Sequence, residues 1–234
     1  MRVAIMQPYF LPYIGYFQLI GSVDAFVVYD NIKYTKKGWI NRNRILTNGM
    51  DSIFSLPLKK DSDSLDVVRR MLAVDFDQTK LINQFKGAYS RSPYFKQTWP
   101  LLERIVCYEE RNLFRFIYHS IVEMCAHLGI DTKILISSEI DIDHGLKAQD
   151  KVIALCQALG ADTYINAIGG LELYDRKEFG LQDIDLKFIK AEPFEYEQFD
   201  NAFVPWLSIV DVLMFNPLEQ VKDFVRNGYE WVRF

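Results

Sequence analysis

Apolar residues along this chain alternate between two spacings. Val3 to Met6 form a short continuous apolar run, the length of a buried strand, and from Tyr13 the pattern becomes helical, with Ile14, Phe17 and Ile20 three apart and Tyr13 and Phe17 four apart. Pro8 and Pro12 stiffen the turn between them, and Gly15 falls in the first helical turn, where a missing Cβ allows close approach. Residues 25–29 make a second apolar strand, closed by Asp30-Asn31, which the spacing predicts to run parallel to the first with 13–22 as the right-handed crossover. The same rhythm returns later: a strand over 133–137, a helix over 147–159 ended by Gly160, and a strand over 163–166. Gly169-Gly170 then opens a helix over 171–174, followed by a strand over 186–190 and helices over 209–215 and 218–225. Such alternation predicts an α/β fold, a mainly parallel Rossmann-like sheet with helices on both faces.

The rhythm breaks between the two halves. Residues 33–58 read as a hairpin turning at Asn48-Gly49. Residues 59–128 read as helical almost throughout: Ser64 caps a helix over 65–72, a helix over 79–89 carries Leu81, Ile82, Phe85 and Ala88, and Ser92-Pro93 starts another. A long helix over 112–127 ends at Gly129. The expectation is one α/β domain over 1–234, with a hairpin at about 33–58 and a mostly helical insertion at about 59–128.

Composition narrows the class. Half of the 234 residues are hydrophobic and 15% are aromatic, enough for a sizeable core. A net charge of −4 argues against nucleic acid as the partner, and no apolar run reaches the length of a membrane span. Cys107, Cys125 and Cys156 lack C-x-x-C spacing and read as reduced thiols of a cytoplasmic protein.

Three stretches carry candidate chemistry. Lys33 to Arg44 holds five cations and no acid in an otherwise acidic chain. In an extended segment Arg42 and Arg44 project to one face and Asn41 and Asn43 to the other; two guanidinium forks on one face suit bidentate capture of phosphate or carboxylate. Trp39 offers a stacking surface for a sugar or base, whereas Lys36 and Lys37 fit a solvated edge equally well. Tyr164 to Asp175 joins a strand end to Gly169-Gly170, a turn that can present backbone N–H groups to an anion, with Tyr174 and Asp175 beside it. Phe203 to Asn216 starts an apolar helix; Ser208 and Asp211 have capping spacing, and Trp206, Asp211 and Asn216 are candidates for a pocket wall. His119, His127 and His144 are not grouped, no metal-ligand or nucleophile motif occurs, and Asp141, Asp143 and His144 read as a solvated turn.

Met6 to Ile20, Lys37 to Ile45, Ile168 to Tyr174 and Pro205 to Asn216 together resemble the WbqC-like family, in order and over nearly the whole chain. The resemblance implies a bacterial cytoplasmic protein of O-antigen or other surface-polysaccharide biosynthesis that attaches glycine or another acyl group to a sugar. More distantly, Tyr13-Ile-Gly-Tyr16 resembles the H-I-G-H signature of class I aminoacyl-tRNA synthetases and related nucleotidyltransferases, in which two histidines and a glycine hold ATP phosphates. Both histidines are tyrosines here; a tyrosine donates a hydrogen bond but brings no positive charge, so Arg42 and Arg44 must supply it.

The expected site therefore places Arg42, Arg44 and Tyr16 at the reacting group. Gln7, Tyr13 and Gly15 form its floor; Lys37, Trp39, Asn41 and Asn43 form its basic-aromatic wall; Gly169, Gly170, Tyr174 and Asp211 complete it. Its ligand is a phosphate-bearing small molecule, ATP or a sugar nucleotide, with no metal. Two readings follow, an acyl or aminoacyl transferase and a non-catalytic sugar-nucleotide- or partner-binding protein. Neither identifies a general base, and the oligomeric state stays open. The transferase reading requires residues 3–20 and 39–44 to be neighbours.

Overall fold

The computed structural model describes residues 1–62 and 64–232. In chain order it runs β1 (Arg2–Met6), α1 (Ile14–Gly21), β2 (Ala25–Val28), then the hairpin strands β3 (Arg42–Thr47) and β4 (Met50–Ser55). Helices α2 (Gln78–Tyr89), α3 (Phe95–Val106) and α4 (Leu113–Leu128) follow, and then β5 (Lys133–Ile136), α5 (Ala148–Ala158) and β6 (Thr163–Ala167). The chain ends with α6 (Arg176–Gly180), β7 (Asp185–Ala191), α7 (Ile209–Phe215), α8 (Leu218–Asn227) and β8 (Tyr229–Trp231).

Six strands form the main sheet in the order β5-β2-β1-β6-β7-β8. All neighbours are parallel except β8, which adds antiparallel to the edge of β7. From β1 the chain moves outward through β2 to β5, then returns to the other side of β1 as β6 and β7. The order thus reverses between β1 and β6, and in such sheets the crevice outside the carboxyl ends of these strands is the usual ligand position.

The central strands β1 and β2 are apolar runs because both faces are covered, whereas β7 alternates, with Lys187 and Lys190 exposed. Ala4, Phe26, Val28, Ile165 and Ile189 pack with α1, α4, α7 and α8 on one face. Val3, Ile5, Val27, Tyr164 and Leu186 pack with Val152, Leu155 and Cys156 of α5 and Phe179 of α6 on the other. The first of these cores continues into the segment between β2 and β5: the Phe10 ring lies 5.9 Å from Phe54 of β4 and 5.6 Å from Phe116 of α4. The hairpin turns as expected at Asn48 (φ 51°) and Gly49 (φ 77°), both left-handed, as a two-residue type I′ turn requires. Asn112 caps α4 by accepting from Arg115 N–H, and Gly129 ends it at φ 66°.

Three expectations are corrected. Residues 65–72 are not a helix: only Val67–Arg69 makes a 3₁₀ turn, and the segment is held by bridges from Lys33 to Asp66, Leu58 to Leu72 and Met71 to Asn112. Its apolar spacing suits a helix, but two turns are marginal alone, and pairing with neighbouring segments satisfies the backbone instead. Gly169-Gly170 lies inside a 3₁₀ turn, Ile168–Leu173; the helix that follows is α6, capped by Asp175, whose carboxylate accepts from Lys177 N–H at 2.8 Å. Pro93 precedes the N-cap of α3, Tyr94, rather than occupying the first helical position. The short elements α6 and β8 have no counterpart in the sequence reading. Cys125 and Cys156 are buried, which pushes both thiols up to about 12, while Cys107 is exposed. Among the described residues no helix is long and apolar enough to cross a membrane.

Candidate functional site

The segments 6–20 and 37–45 are neighbours, and the segment 205–216 joins them. Phe10 N–H donates to the Ile40 carbonyl at 2.9 Å, and Asn43 Nδ2 donates to the Leu11 carbonyl at 3.0 Å. Ser208, the N-cap of α7, donates from Oγ to the same Leu11 carbonyl at 2.6 Å and from its N–H to Arg44 O at 2.9 Å. Ile209 N–H closes the junction on Pro12 O at 2.8 Å. Leu11 sits at φ 46°, a conformation unfavourable for a leucine; the two donors on its carbonyl hold the turn there.

These contacts shape a pocket of about 210 Å³ lined by Tyr9, Pro12, Tyr13, Trp39, Asn43, Arg44 and Trp206. Trp39 is 42% and Trp206 64% exposed, unusual for the largest apolar side chain. The Tyr13 and Trp206 rings meet edge to face at 6.0 Å. The guanidinium carbons of Arg42 and Arg44 lie 5.5 and 5.8 Å from the Trp39 ring centroid, so both cations flank one indole.

The two arginines nevertheless do different work. Arg42 closes the turn behind Trp39, donating from Nε to Gly38 O at 2.9 Å and from Nη2 to Lys37 O at 2.5 Å. Arg44 lines the pocket; its Nη1 pairs with Asp51 at 3.2 Å and its Nη2 donates to Trp206 O at 3.1 Å. Trp206 has φ 61°, so Arg44 fastens a strained residue whose ring forms the opposite wall.

The remaining predicted residues fall into two groups. Around the pocket, Gly15 lies under the Tyr13 ring, which any Cβ at that position would strike. What comes close to this glycine is thus a side chain of its own turn. Tyr16 is buried, with its hydroxyl donating to Gln7 O at 2.9 Å, and burial pushes that hydroxyl well above its ordinary range. Gln7 Oε1 accepts from Tyr9 O–H at 3.3 Å. Asn41 accepts from Tyr34 O–H at 2.7 Å and donates to Leu56 O at 2.7 Å, so its side chain is a backbone clamp. Lys37 is exposed.

Away from the pocket, Gly170 lies against Asn166 and the Tyr174 ring, and Tyr164 O–H donates to the Tyr174 hydroxyl at 3.2 Å. Gly169, Gly170 and Tyr174 stand at the carboxyl end of β6 and do not line the aromatic pocket. Asp211 is fully buried in the core behind α7. Tyr9 and Pro12, which line the pocket, are not among the residues expected from the sequence; they lie in the segment from Met6 to Ile20, and the alternation Tyr9, Leu11, Tyr13 is the available signal. Among the described residues no three His, Cys, Asp or Glu side chains gather as a metal-binding group.

The chain is similar to uncharacterized protein Rv1507c of Mycobacterium tuberculosis, with 28% identity over 228 residues, 96% of this chain and 97% of the relative. No solved structure matches it. The sequence pattern of the WbqC-like protein family matches residues 7–223, a span that contains every side chain lining the aromatic pocket, and the chain belongs to that family.

Proposed function

We propose that this protein binds an activated, phosphate-bearing sugar in the pocket between Trp39 and Trp206 and transfers an acyl or aminoacyl group to it in bacterial surface-polysaccharide biosynthesis. The observation that carries the proposal is one arginine, Arg44, set between two exposed tryptophans in a concave site. Indole faces suit the C–H faces of a sugar or the plane of a base, and a guanidinium fork suits phosphate. At about 210 Å³ the pocket holds a phosphate and one ring, so the rest of a sugar nucleotide lies over the exposed indoles. Arg44 would also stabilise negative charge that develops during transfer.

A second reading rests on a specific observation: among the described residues the lining contains no carboxylate, imidazole or thiol, and burial raises the Tyr9 and Tyr13 hydroxyls above their ordinary range. On that reading the protein presents a sugar nucleotide to a separate transferase. Thermal shift with UDP-glucose, GDP-mannose and ATP tests binding. A ligand at a hundred times its Kd adds about 2.7 kcal/mol, and Arg44→Gln and Trp206→Ala should each remove most of the shift. Incubation with ATP and labelled amino acids, scored for AMP or pyrophosphate release, tests transfer. Binding without release under any pairing supports the second reading, and no shift with any of the probes rejects both.

A further inference from the structure

A buried lysine at the carboxyl edge of the main sheet has no role in the aromatic pocket. Lys151, in the first turns of α5, is only 4% exposed. Lysine is almost never buried to this extent without a partner. Among the described residues no hydrogen bond or ion pair reaches its amine; its contact is the Tyr29 ring, 5.0 Å from Nζ to the centroid. Burial lowers the pKa of its amine from the ordinary lysine value, and the charges of Asp66 and Asp30 act in the opposite direction without cancelling it. Asp30 is already occupied, accepting from Ser138 N–H at 2.9 Å and Ser138 O–H at 2.6 Å. Three ammonium donors are thus left to be satisfied from outside the fold.

The surroundings suit an oxyanion. The eleven-residue α5 begins at the carboxyl edge, and its N-cap residue Lys147 supplies no side-chain acceptor, so first-turn amides stay available. Gln149 Oε1 accepts from Asp175 N–H at 2.5 Å, which draws the second sequence motif, with Tyr174, onto this helix end. Tyr29 stands just beyond β2 and packs, like Tyr174, against the core on this face of the sheet, and burial holds both hydroxyls above their ordinary range, so they remain donors. Of the other ionisable groups at this edge, Asp150 is exposed on the first turn and His144 Nδ1 is engaged with Asn31 Nδ2 at 3.0 Å.

We propose that Lys151, the N-terminal amides of α5 and the hydroxyls of Tyr29 and Tyr174 form a second binding site, for the phosphate or carboxylate group of a small ligand. Nitrogen-15 NMR of the full chain, titrated with inorganic phosphate and separately with acetate, tests it. The amide signals of Gln149, Asp150 and Lys151 should shift saturably with one or both anions; whichever saturates at lower concentration names the group. Lys151→Met should weaken that binding about tenfold or more, as loss of a charge-assisted hydrogen bond does. Lys151→Arg should retain it, and Arg44→Gln should leave the same shifts unchanged. Failure of these amides to shift saturably in the wild type with either anion overturns the proposal. So does equal affinity in Lys151→Met. Should Lys151→Met not fold, the wild-type titration and Lys151→Arg decide.

Discussion

Asp211 shows how far one side chain's role can lie from its sequence context. Its carboxylate accepts from Tyr89 O–H at 2.7 Å, Tyr196 O–H at 2.8 Å and Gln198 Nε2 at 2.7 Å, and Tyr89 in turn accepts from Leu46 N–H at 3.0 Å. One acid thereby ties α7 to α2, to β3 and to the loop before Ser208. Asp211→Ala leaves three buried donors without an acceptor and should cost about 3 kcal/mol or more, against about 1–2 kcal/mol for Tyr89→Phe; urea unfolding measures both. Burial raises the Asp211 carboxyl from its usual value even though the three donors pull the other way. The folded state then holds the proton more tightly than the unfolded chain. The group's contribution to stability is full below the ordinary aspartate pKa and is lost as pH rises through the higher folded value. Asp24 has the opposite sign: hydrogen bonds from Arg2 lower its pKa, so its contribution is present above the ordinary value and lost as pH falls. Carboxyl carbon NMR should show Asp211 titrating above Asp24; the reverse order would mean that the three donors outweigh burial, and would reverse the sign of this pH dependence. The same distance separates residue type from role in the basic stretch from Lys33 to Arg44. Arg42, Asn41 and Asn43 look like ligand-binding groups in the sequence, yet each is hydrogen-bonded to a backbone carbonyl whose position only the folded chain fixes.

At the scale of elements, legibility followed burial. Strands β1 and β2 are legible because a parallel strand covered on both faces is a continuous apolar run, and β5, half-buried at the sheet edge, still carries the run Ile134, Leu135, Ile136. The edge strand β8 spans only Tyr229–Trp231 and pairs through its backbone, so its side chains carry no such signal. Residues 65–72 misled because helical spacing and a cap residue are necessary for a helix but do not prevent a chain from pairing elsewhere. The hairpin was the most legible local element, since Asn-Gly states its own turn type. Gly49→Ala should cost about 1–2 kcal/mol, because alanine is strained at φ 77° and its methyl would meet Asn201 Oδ1 at 2.6 Å. Asn48→Gly should be close to neutral. Calorimetry compares the two, and an unchanged melting temperature in Gly49→Ala would mean that the turn does not hold this geometry. This hairpin also carries Arg44, so a loosened turn should weaken UDP-glucose binding on the proposed reading of the pocket.

At the scale of the molecule, the question is whether residues between β2 and β5 are an appendage or part of one folding unit. They contribute α4 to the face of the main sheet on which α1 and α8 also pack, and Phe116 of α4 is fully buried there. Phe10, from the turn after β1, touches both Phe116 and Phe54, so the turn between β1 and α1 is itself a wall of the core formed by the segment between β2 and β5. A chain of 234 residues does not unfold in one step by default, since longer chains often populate intermediates. Shared packing of this kind makes a single step the expectation here. Phe116→Ala removes a ring from that junction and should cost about 3–5 kcal/mol. The loss should move the whole transition: far-ultraviolet dichroism and tryptophan fluorescence should report one midpoint, before and after substitution. The tryptophans sample both parts, Trp39 and Trp99 between β2 and β5 and Trp206 and Trp231 beyond β5. Non-coincident curves, with Phe116→Ala shifting only one of them, would make the inserted segment a separate unit. The aromatic pocket, built where turn, hairpin and α7 meet, would then depend on an interface that can open without unfolding the sheet.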